Sequence, residues 1–387
     1  MSYRRREKFL VFGAPQILED EIQEVVATLR SGWLGTGPKA HLFEAMFREY
    51  IGAQYALALS SCTAGLHIVM IAAGIGAGDE VITTPLTFAA SANAVLHAGA
   101  RPVFADVEPA TLNLDPEQVR RRITAKTKAI IPVHLYGRPC NMDALTQIAA
   151  ERDLLIIEDA AHAIEAVYHG RKIGTFGKAG CFSFYVTKNV VTGEGGMVTT
   201  DDEELADKIK ILSLHGLSRD AWKRYSDSGY KHYEVVYPGF KYNMTDIQAS
   251  LGIHQLNRVE QNLKRREWIW ARYDESFADL PVDLPALPEA DTRHARHLYT
   301  LRLQIERIGM SRDDFINRLQ EENIGSGVHF IALHLQKYYR ETFGYRPEDY
   351  PVAYDASLRT VSLPLSAKLT DRDVEDVICA VRHILAG

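Results

Sequence analysis

Apolar positions near the start of the chain recur at helical spacing. In "QILEDEIQEVVATLRSG", Leu18, Ile22, Val25, Val26 and Leu29 share one face, and Gly32 follows the last turn. That spacing predicts an amphipathic helix with a glycine stop. A second helix is predicted over "AHLFEAMFREYIGA". Beyond it the period alternates. The short apolar runs "YALALS", "EVITT", "PVFADV", "KAIIPVHL" and "LLIIEDA" are separated by helical stretches such as "TAGLHIVMIAAGI", "FAASANAVLHAGA" and "MDALTQIAAERD". "GCFSFYV" and "GMVTT" continue the strand pattern, and the helical "DEELADKIKILSLHG" follows. Short strands alternating with helices of about ten to fifteen residues predict βαβ units. The expected fold class is therefore α/β, with a mainly parallel sheet sandwiched by helices.

The pattern changes after Asn243. "MTDIQASLGIHQLNRVEQNLKRREWIWARYDESF" reads as long helix, with Ile247, Leu251 and Leu256 turned inward and charges outside. "HLYTLRLQ" then alternates as a strand does, while "SRDDFINRLQEEN" and "DRDVEDVICAVRHIL" read as helices. We expect a large domain over residues 1–245, a connecting helix over 246–275 and a smaller C-terminal α+β domain over 276–387. The N-terminal segment is expected to pack on the small domain. At 387 residues and 46% hydrophobic, the chain can bury a core of that size. Its net charge of −6, with both signs mixed along the chain, gives a nucleic-acid partner no electrostatic help. The four cysteines stand apart without a CxxC pair, which fits a reducing cytoplasm and predicts neither a disulfide framework nor a metal site. No run is long enough to span a membrane, and the N-terminal apolar run is too short for a signal peptide.

In open parallel sheets, ligands bind beyond the carboxyl ends of the strands. Four segments fall there. "LSSCTAGLH" joins a strand end to a helix start through small residues, and its free N–H groups, with the Ser61 and Thr63 hydroxyls, form a cradle for an anion. "IIEDAAHA" closes an apolar strand on Asp159, with His162 just beyond. "TTPLTFAA" places Phe88 at a strand-to-helix junction, and "FYVTKNVVTGEGG" sets Lys188 in a turn between two strand-like runs. Each segment alone has an ordinary structural reading: a helix cap, a surface acid, a packed aromatic, a solvated lysine. Together they meet the needs of pyridoxal 5′-phosphate. Its phosphate needs N–H donors, its ring a flat partner and its aldehyde an amine. Its pyridine nitrogen needs a carboxylate to stay protonated. Other motifs are absent: "GWLGTGP" does not sit inside a βαβ unit, and there is no GxxxxGK[ST], GxSxG or HExxH.

The sequence resembles the DegT-type nucleotide-sugar aminotransferases, of fold type I among pyridoxal-phosphate enzymes, nearly end to end. The motifs that carry the resemblance are "SGWLGTGP", "SSCTAGLH", "GDEVITTPLTFAASANAV", "TKAIIPVHLYGRP", "IIEDAAHA", "FSFYVTKNVVTGEGGMVTTDDEELA", "HGLSRDAW", "PGFKYNMTDIQASLG" and "IGSGVHF". It is most similar to enzymes making UDP-4-amino-4-deoxy-L-arabinose and to spore-coat polysaccharide aminotransferases. The resemblance implies that Lys188 is the Schiff-base lysine and Asp159 the partner of the pyridine nitrogen. His162 would contact the ring hydroxyl and Phe88 would stack on the ring. Thr63, Ala64 and Ser183 would hold the phosphate, joined by Asn243 from the other subunit of a homodimer. Trp33 and His329 would face the sugar nucleotide. The implied partners are L-glutamate and a nucleotide-linked keto-sugar. Relatives that dehydrate sugars carry histidine where Lys188 stands, so lysine favours transamination. A dehydratase or amino-acid lyase on the same cofactor, and a non-catalytic sensor on the same fold, are the competing expectations; a nicotinamide-dependent oxidoreductase lacks its glycine fingerprint.

Overall fold

Helices α1 (Glu19–Ser31) and α2 (Pro38–Ile51) precede the first strand. Each ends on a glycine in the left-handed region, Gly32 at φ 74° and Gly52 at φ 82°, where a Cβ would be strained. The computed structural model describes residues 5–218 and 234–386, so positions 219–222 of "HGLSRDAW" lie outside the described residues. Strands and helices then alternate: β1 (Tyr55–Leu59), α3 (Cys62–Ala72), β2 (Glu80–Thr83), α4 (Ala89–His97), β3 (Arg101–Phe104), α5 (Pro116–Arg122), β4 (Thr127–Ile131), α6 (Met142–Arg152) and β5 (Leu155–Asp159). Two short strands, β6 (Val167–Tyr168) and β7 (Arg171–Lys172), form a ribbon before β8 (Ala179–Ser183), β9 (Gly196–Thr200) and α7 (Glu203–Leu212).

The seven-stranded sheet has the order β1-β9-β8-β5-β4-β2-β3. β9 pairs antiparallel with both its neighbours, and every other pairing is parallel, so β9 alone runs against the rest. Successive side chains along each strand enter opposite layers. Ile82, Ile130, Ile156, Phe182 and Met197 join the cluster that includes Phe43 and Phe47 of α2 and Met142 and Leu145 of α6. Val81, Ala129, Ile131, Ile157, Cys181 and Val198 join the opposite cluster with Leu66 and Val69 of α3 and Ile209 of α7. Burial on both faces explains why these strands read as continuous apolar runs.

The helix expected over 246–275 is two helices, α8 (Asp246–Asn257) and α9 (Val259–Phe277). The chain turns at Arg258 (φ −104°, ψ 1°), whose guanidinium pairs with the fully buried Glu21 carboxylate of α1. That ion pair ties the break to the helix layer α1–α2–α8, where Phe43 also leaves no room for a side chain at Gly252. The remaining elements are β10 (Val282–Asp283), β11 (Thr292–Arg293), β12 (Tyr299–Leu303), α10 (Ile305–Ile308), α11 (Arg312–Glu321), α12 (Lys337–Phe343), α13 (Pro351–Arg359), β13 (Thr360–Leu363) and α14 (Asp371–Ala386). β10-β12-β13 form an antiparallel sheet, and β11 adds to β6 and β7. Tyr273, Tyr299, Phe315, Val361 and Val377 make a separate core here, which Leu10 of the N-terminal segment enters. Among the described residues, no helix is long and apolar enough to cross a membrane.

At the end of β5, two adjacent acids part company. Glu158 is fully buried, and its carboxylate accepts the N–H groups of Gly174 (2.8 Å), Phe176 (2.8 Å) and Gly177 (2.9 Å). It is therefore a loop anchor. Glu158→Ala leaves these donors without an acceptor and is expected to lower the unfolding free energy by about 3 kcal/mol or more. Urea denaturation checks this; a change within about 0.5 kcal/mol, the size of a surface substitution, contradicts it.

Candidate active site

The carboxyl ends of β1, β2, β4, β5 and β8 converge on a cavity of about 570 Å³. Thr63, Phe88, Asp159, His162, Ser183, Lys188 and His329 all line it. The turn bearing Lys188 connects β8 to the antiparallel β9, so both its ends are fixed at this edge of the sheet. Phe184 N–H donates to the Gly195 carbonyl and Lys188 N–H to the Tyr185 carbonyl, closing the turn. Lys188 is thus held by backbone geometry at the cavity wall.

The helix α3 begins at the cavity wall with the capping residue Ser61, whose Oγ accepts the Ala64 N–H at 3.0 Å. Ala64 is buried and its side chain does not line the cavity. Its N–H already has a partner, and the N–H groups without an intrahelical acceptor are those of Cys62 and Thr63. Gly196 at the start of β9 lies against this turn: a Cβ there would fall 2.4–2.6 Å from backbone atoms of Ser61 and Cys62. Only glycine lets the strand come so close. Phe88 also lines the cavity and remains 63% exposed.

Besides Ala64, two of the expected residues stand outside this cavity. Trp33 is 49% exposed, and its Nε1 donates to the Thr36 carbonyl (3.2 Å). Asn243 Nδ2 donates to Thr36 Oγ1 (2.7 Å), while its Oδ1 is buried without a partner among the described residues. These two side chains meet at Thr36 rather than at Lys188.

Electrostatics separate the titratable groups of the cavity. Asp159 accepts the Ser91 hydroxyl at 2.7 Å and the Ala161 N–H at 3.2 Å. Burial pushes its carboxyl above the ordinary value, opposed by those hydrogen bonds and by the Lys188 charge. Burial lowers Lys188 to about 8, with Asp159 opposing the shift. Burial likewise holds His162 and His297 far below the usual imidazole value and brings His329 down to about 4. An amine and a carboxylate share a poorly solvated space walled by uncharged imidazoles.

Donor N–H groups at a helix start, a close-approach glycine, a buried carboxylate and a lysine with a lowered pKa fit the groups of pyridoxal 5′-phosphate. The sequence profile of the DegT/DnrJ/EryC1/StrS aminotransferase family matches residues 15–382. The chain belongs to that family. As a DegT/DnrJ/EryC1/StrS aminotransferase it is a transaminase whose cofactor is pyridoxal 5′-phosphate. It is 50% identical over 385 residues to the spore coat polysaccharide biosynthesis protein SpsC of Bacillus subtilis, covering 99% of each chain. Spr1654 of Streptococcus pneumoniae, solved in its PMP form, superposes with a TM-score of 0.91 at 37% identity, over 97% of this chain and 98% of that one. Helicobacter pylori PseC, an aminotransferase involved in the biosynthesis of pseudoaminic acid, gives 0.90 at 27% identity, over 98% and 100%.

Sequence reasoning missed one residue behind the aminotransferase cavity, Ser91, and two that line it, His297 and Phe330. Ser91 bridges Thr87 Oγ1 (2.8 Å) and Asp159, and His297 lies with its ring centroid 4.5 Å from that of His162. Phe330 stacks on His162 at 6.1 Å and 12°. A helical period in "FAASANAV" puts Ser91 one turn from Thr87, a signal that was available. His297 carried none. In the cofactor-free chain, acylation of the Lys188 amine is expected to rise with pH around a midpoint near 8. An ordinary lysine titrates at about 10.4. Peptide mapping after acetic anhydride labelling across pH 6–11 checks it, and a midpoint above about 10 contradicts it.

Proposed function

We propose that this aminotransferase moves an amino group from L-glutamate to the 4-keto carbon of a nucleotide-linked sugar, UDP-linked in our reading, for a cell-surface polysaccharide or lipid. The observation that carries the proposal is the pairing of Lys188 with Asp159 in one cavity: a lysine with a lowered pKa facing a buried carboxylate. The named roles of SpsC and PseC in polysaccharide and pseudoaminic-acid biosynthesis support the sugar as acceptor.

Lys188 would hold the cofactor's aldehyde and Asp159 its ring nitrogen. Phe88 would lie against the ring. Thr63, Ala64 and Ser183, with the N–H groups at the start of α3, would take the phosphate. His162 Nδ1 accepts the Tyr136 N–H at 3.2 Å, so the neutral ring carries its proton on Nε2 and can donate to the ring oxygen. Trp33 and His329 would face the sugar nucleotide. Asn243, with its buried unpartnered Oδ1, would complete the site of a partner subunit in a homodimer. We assign residues 1–245 to the cofactor-binding domain, 246–275 to the connection and 276–387 to the small domain, and place the enzyme in the cytoplasm.

Bound there, the cofactor supplies an electron sink and a carrier for the amino group. The chain's own residues handle protons. Lys188 Nζ would take the α-proton of glutamate, because an amine with a pKa near 8 is partly neutral at physiological pH. Asp159, held by Ser91 and the Ala161 N–H, would supply the negative charge that the ring nitrogen needs. In the second half-reaction Lys188 returns a proton to the sugar carbon that receives the amine. Apolar walls at Leu66, Val133 and Leu298 limit water at these atoms.

Incubation with L-glutamate and a panel of UDP- and dTDP-linked 4-keto-sugars, followed by mass detection, tests the assignment. We expect an amine in place of the carbonyl in at least one UDP-sugar, with an equivalent of 2-oxoglutarate. Amination of other carbonyl acceptors while every nucleotide sugar is refused contradicts it.

A further inference from the structure

His162 and His297 lie against each other at the cavity wall with opposite hydrogen-bonding roles. His162 receives a backbone N–H on Nδ1 and so presents an N–H from Nε2. His297 is bound the other way round. Its Nδ1 stands 2.9 Å from Asn189 Oδ1. The far end of that amide fixes its orientation: Asn189 Nδ2 donates to Glu165 Oε2 (2.7 Å) and to the Ala295 carbonyl (3.2 Å). Both of those partners can only accept, so the atom turned to His297 is the amide oxygen. It too can only accept. The His297 proton therefore resides on Nδ1, and Nε2 carries a lone pair. Glu165 is itself locked by a buried ion pair with Arg266 of α9, whose Nε donates to the Arg296 carbonyl. His297 Nε2 has no hydrogen-bond partner among the described residues, and His297 lines the cavity that holds Lys188.

We propose that His297 is a positioning residue for Lys188: its Nε2 lone pair, unpartnered in the cofactor-free chain, accepts a hydrogen bond from the ε-amine when pyridoxamine 5′-phosphate is bound, and the Arg266–Glu165–Asn189 chain fixes the tautomer that permits this contact. The inference rests on the reading of Lys188 as the reactive amine. Asn189 is the next residue after Lys188, so the same side chain that sets the tautomer also anchors the lysine's backbone. Burial and the charges of His162, Lys188, His329 and Arg266 all oppose a second proton on His297. None is an anion that would draw a second proton onto the ring, so His297 remains an acceptor at physiological pH. A neutral acceptor gains more from an ammonium than from an amine. His297 would therefore offset part of the desolvation that lowers Lys188.

The test uses the full chain with pyridoxamine 5′-phosphate bound, in which Lys188 keeps a free amine. Lysines are labelled with ¹³C at Cε, and the Lys188 signal is identified by its loss in Lys188→Gln. Histidines are labelled with ¹⁵N. We expect the proton of His297 on Nδ1 and that of His162 on Nε2. His297→Leu should lower the Lys188 midpoint by about one pH unit, the size of one charge-assisted hydrogen bond. His297→Gln, whose carbonyl can accept, should restore most of the shift. A His297 proton on Nε2, or a Lys188 midpoint unmoved by His297→Leu, overturns the proposal. Where His297→Leu does not fold, Asn189→Leu keeps the imidazole and removes the tautomer lock. Mixed tautomers with a lowered Lys188 midpoint are then expected, and an unchanged tautomer overturns the proposal. A chain that does not bind pyridoxamine 5′-phosphate overturns the functional reading together with this inference. Retained binding with an unmoved midpoint overturns the inference alone.

Discussion

Poor solvation of one amine and one carboxylate is the constraint on which the rest of this molecule depends. Asp159 ends a strand buried on both faces, and Lys188 sits in the turn of the neighbouring hairpin. Neither group could hold its charge at that depth without help. Asp159 has Ser91, the Ala161 N–H and the opposite charge of Lys188. Lys188 has Asp159 across the cavity, which only partly opposes the effect of burial. The outcome is a carboxylate that can keep a ring nitrogen protonated and an amine that can act as a base near neutral pH.

The sheet topology explains how such a pair is assembled. Parallel strands deliver the ends of β1, β2, β4, β5 and β8 to one edge, and the reversed strand β9 returns the Lys188 turn to that edge. Gly196 lets the returning strand touch the start of α3, so that turn and the lysine turn are neighbours. On the other side of Lys188, the buried Glu165–Arg266 pair connects the turn to α9 through Asn189. Leaving either partner of such a pair alone in the interior is costly, which makes the pair a rigid strut rather than a source of net stability.

Much of this was legible from the sequence, and the physical reason differs from part to part. The α/β layout was legible because strands buried on both faces leave apolar runs between helical periods. The family resemblance was legible because motifs such as "IIEDAAHA" and "FYVTKNVVTGEGG" are local. The reversed direction of β9 was not, since side-chain patterning carries no sign for strand polarity. The break at Arg258 was not, because it depends on Glu21, 237 residues away. His297 and Asn189 were unread for the same reason: their contact spans 108 residues, and a lone histidine before a strand has no periodic signature.

The account is tested most directly by locating the residue that holds the cofactor. The protein is loaded with pyridoxal 5′-phosphate, reduced with borohydride, digested and mapped by mass spectrometry. The account predicts a single phosphopyridoxyl adduct on the peptide containing Lys188. An adduct at another lysine, or no adduct after cofactor is supplied, contradicts it.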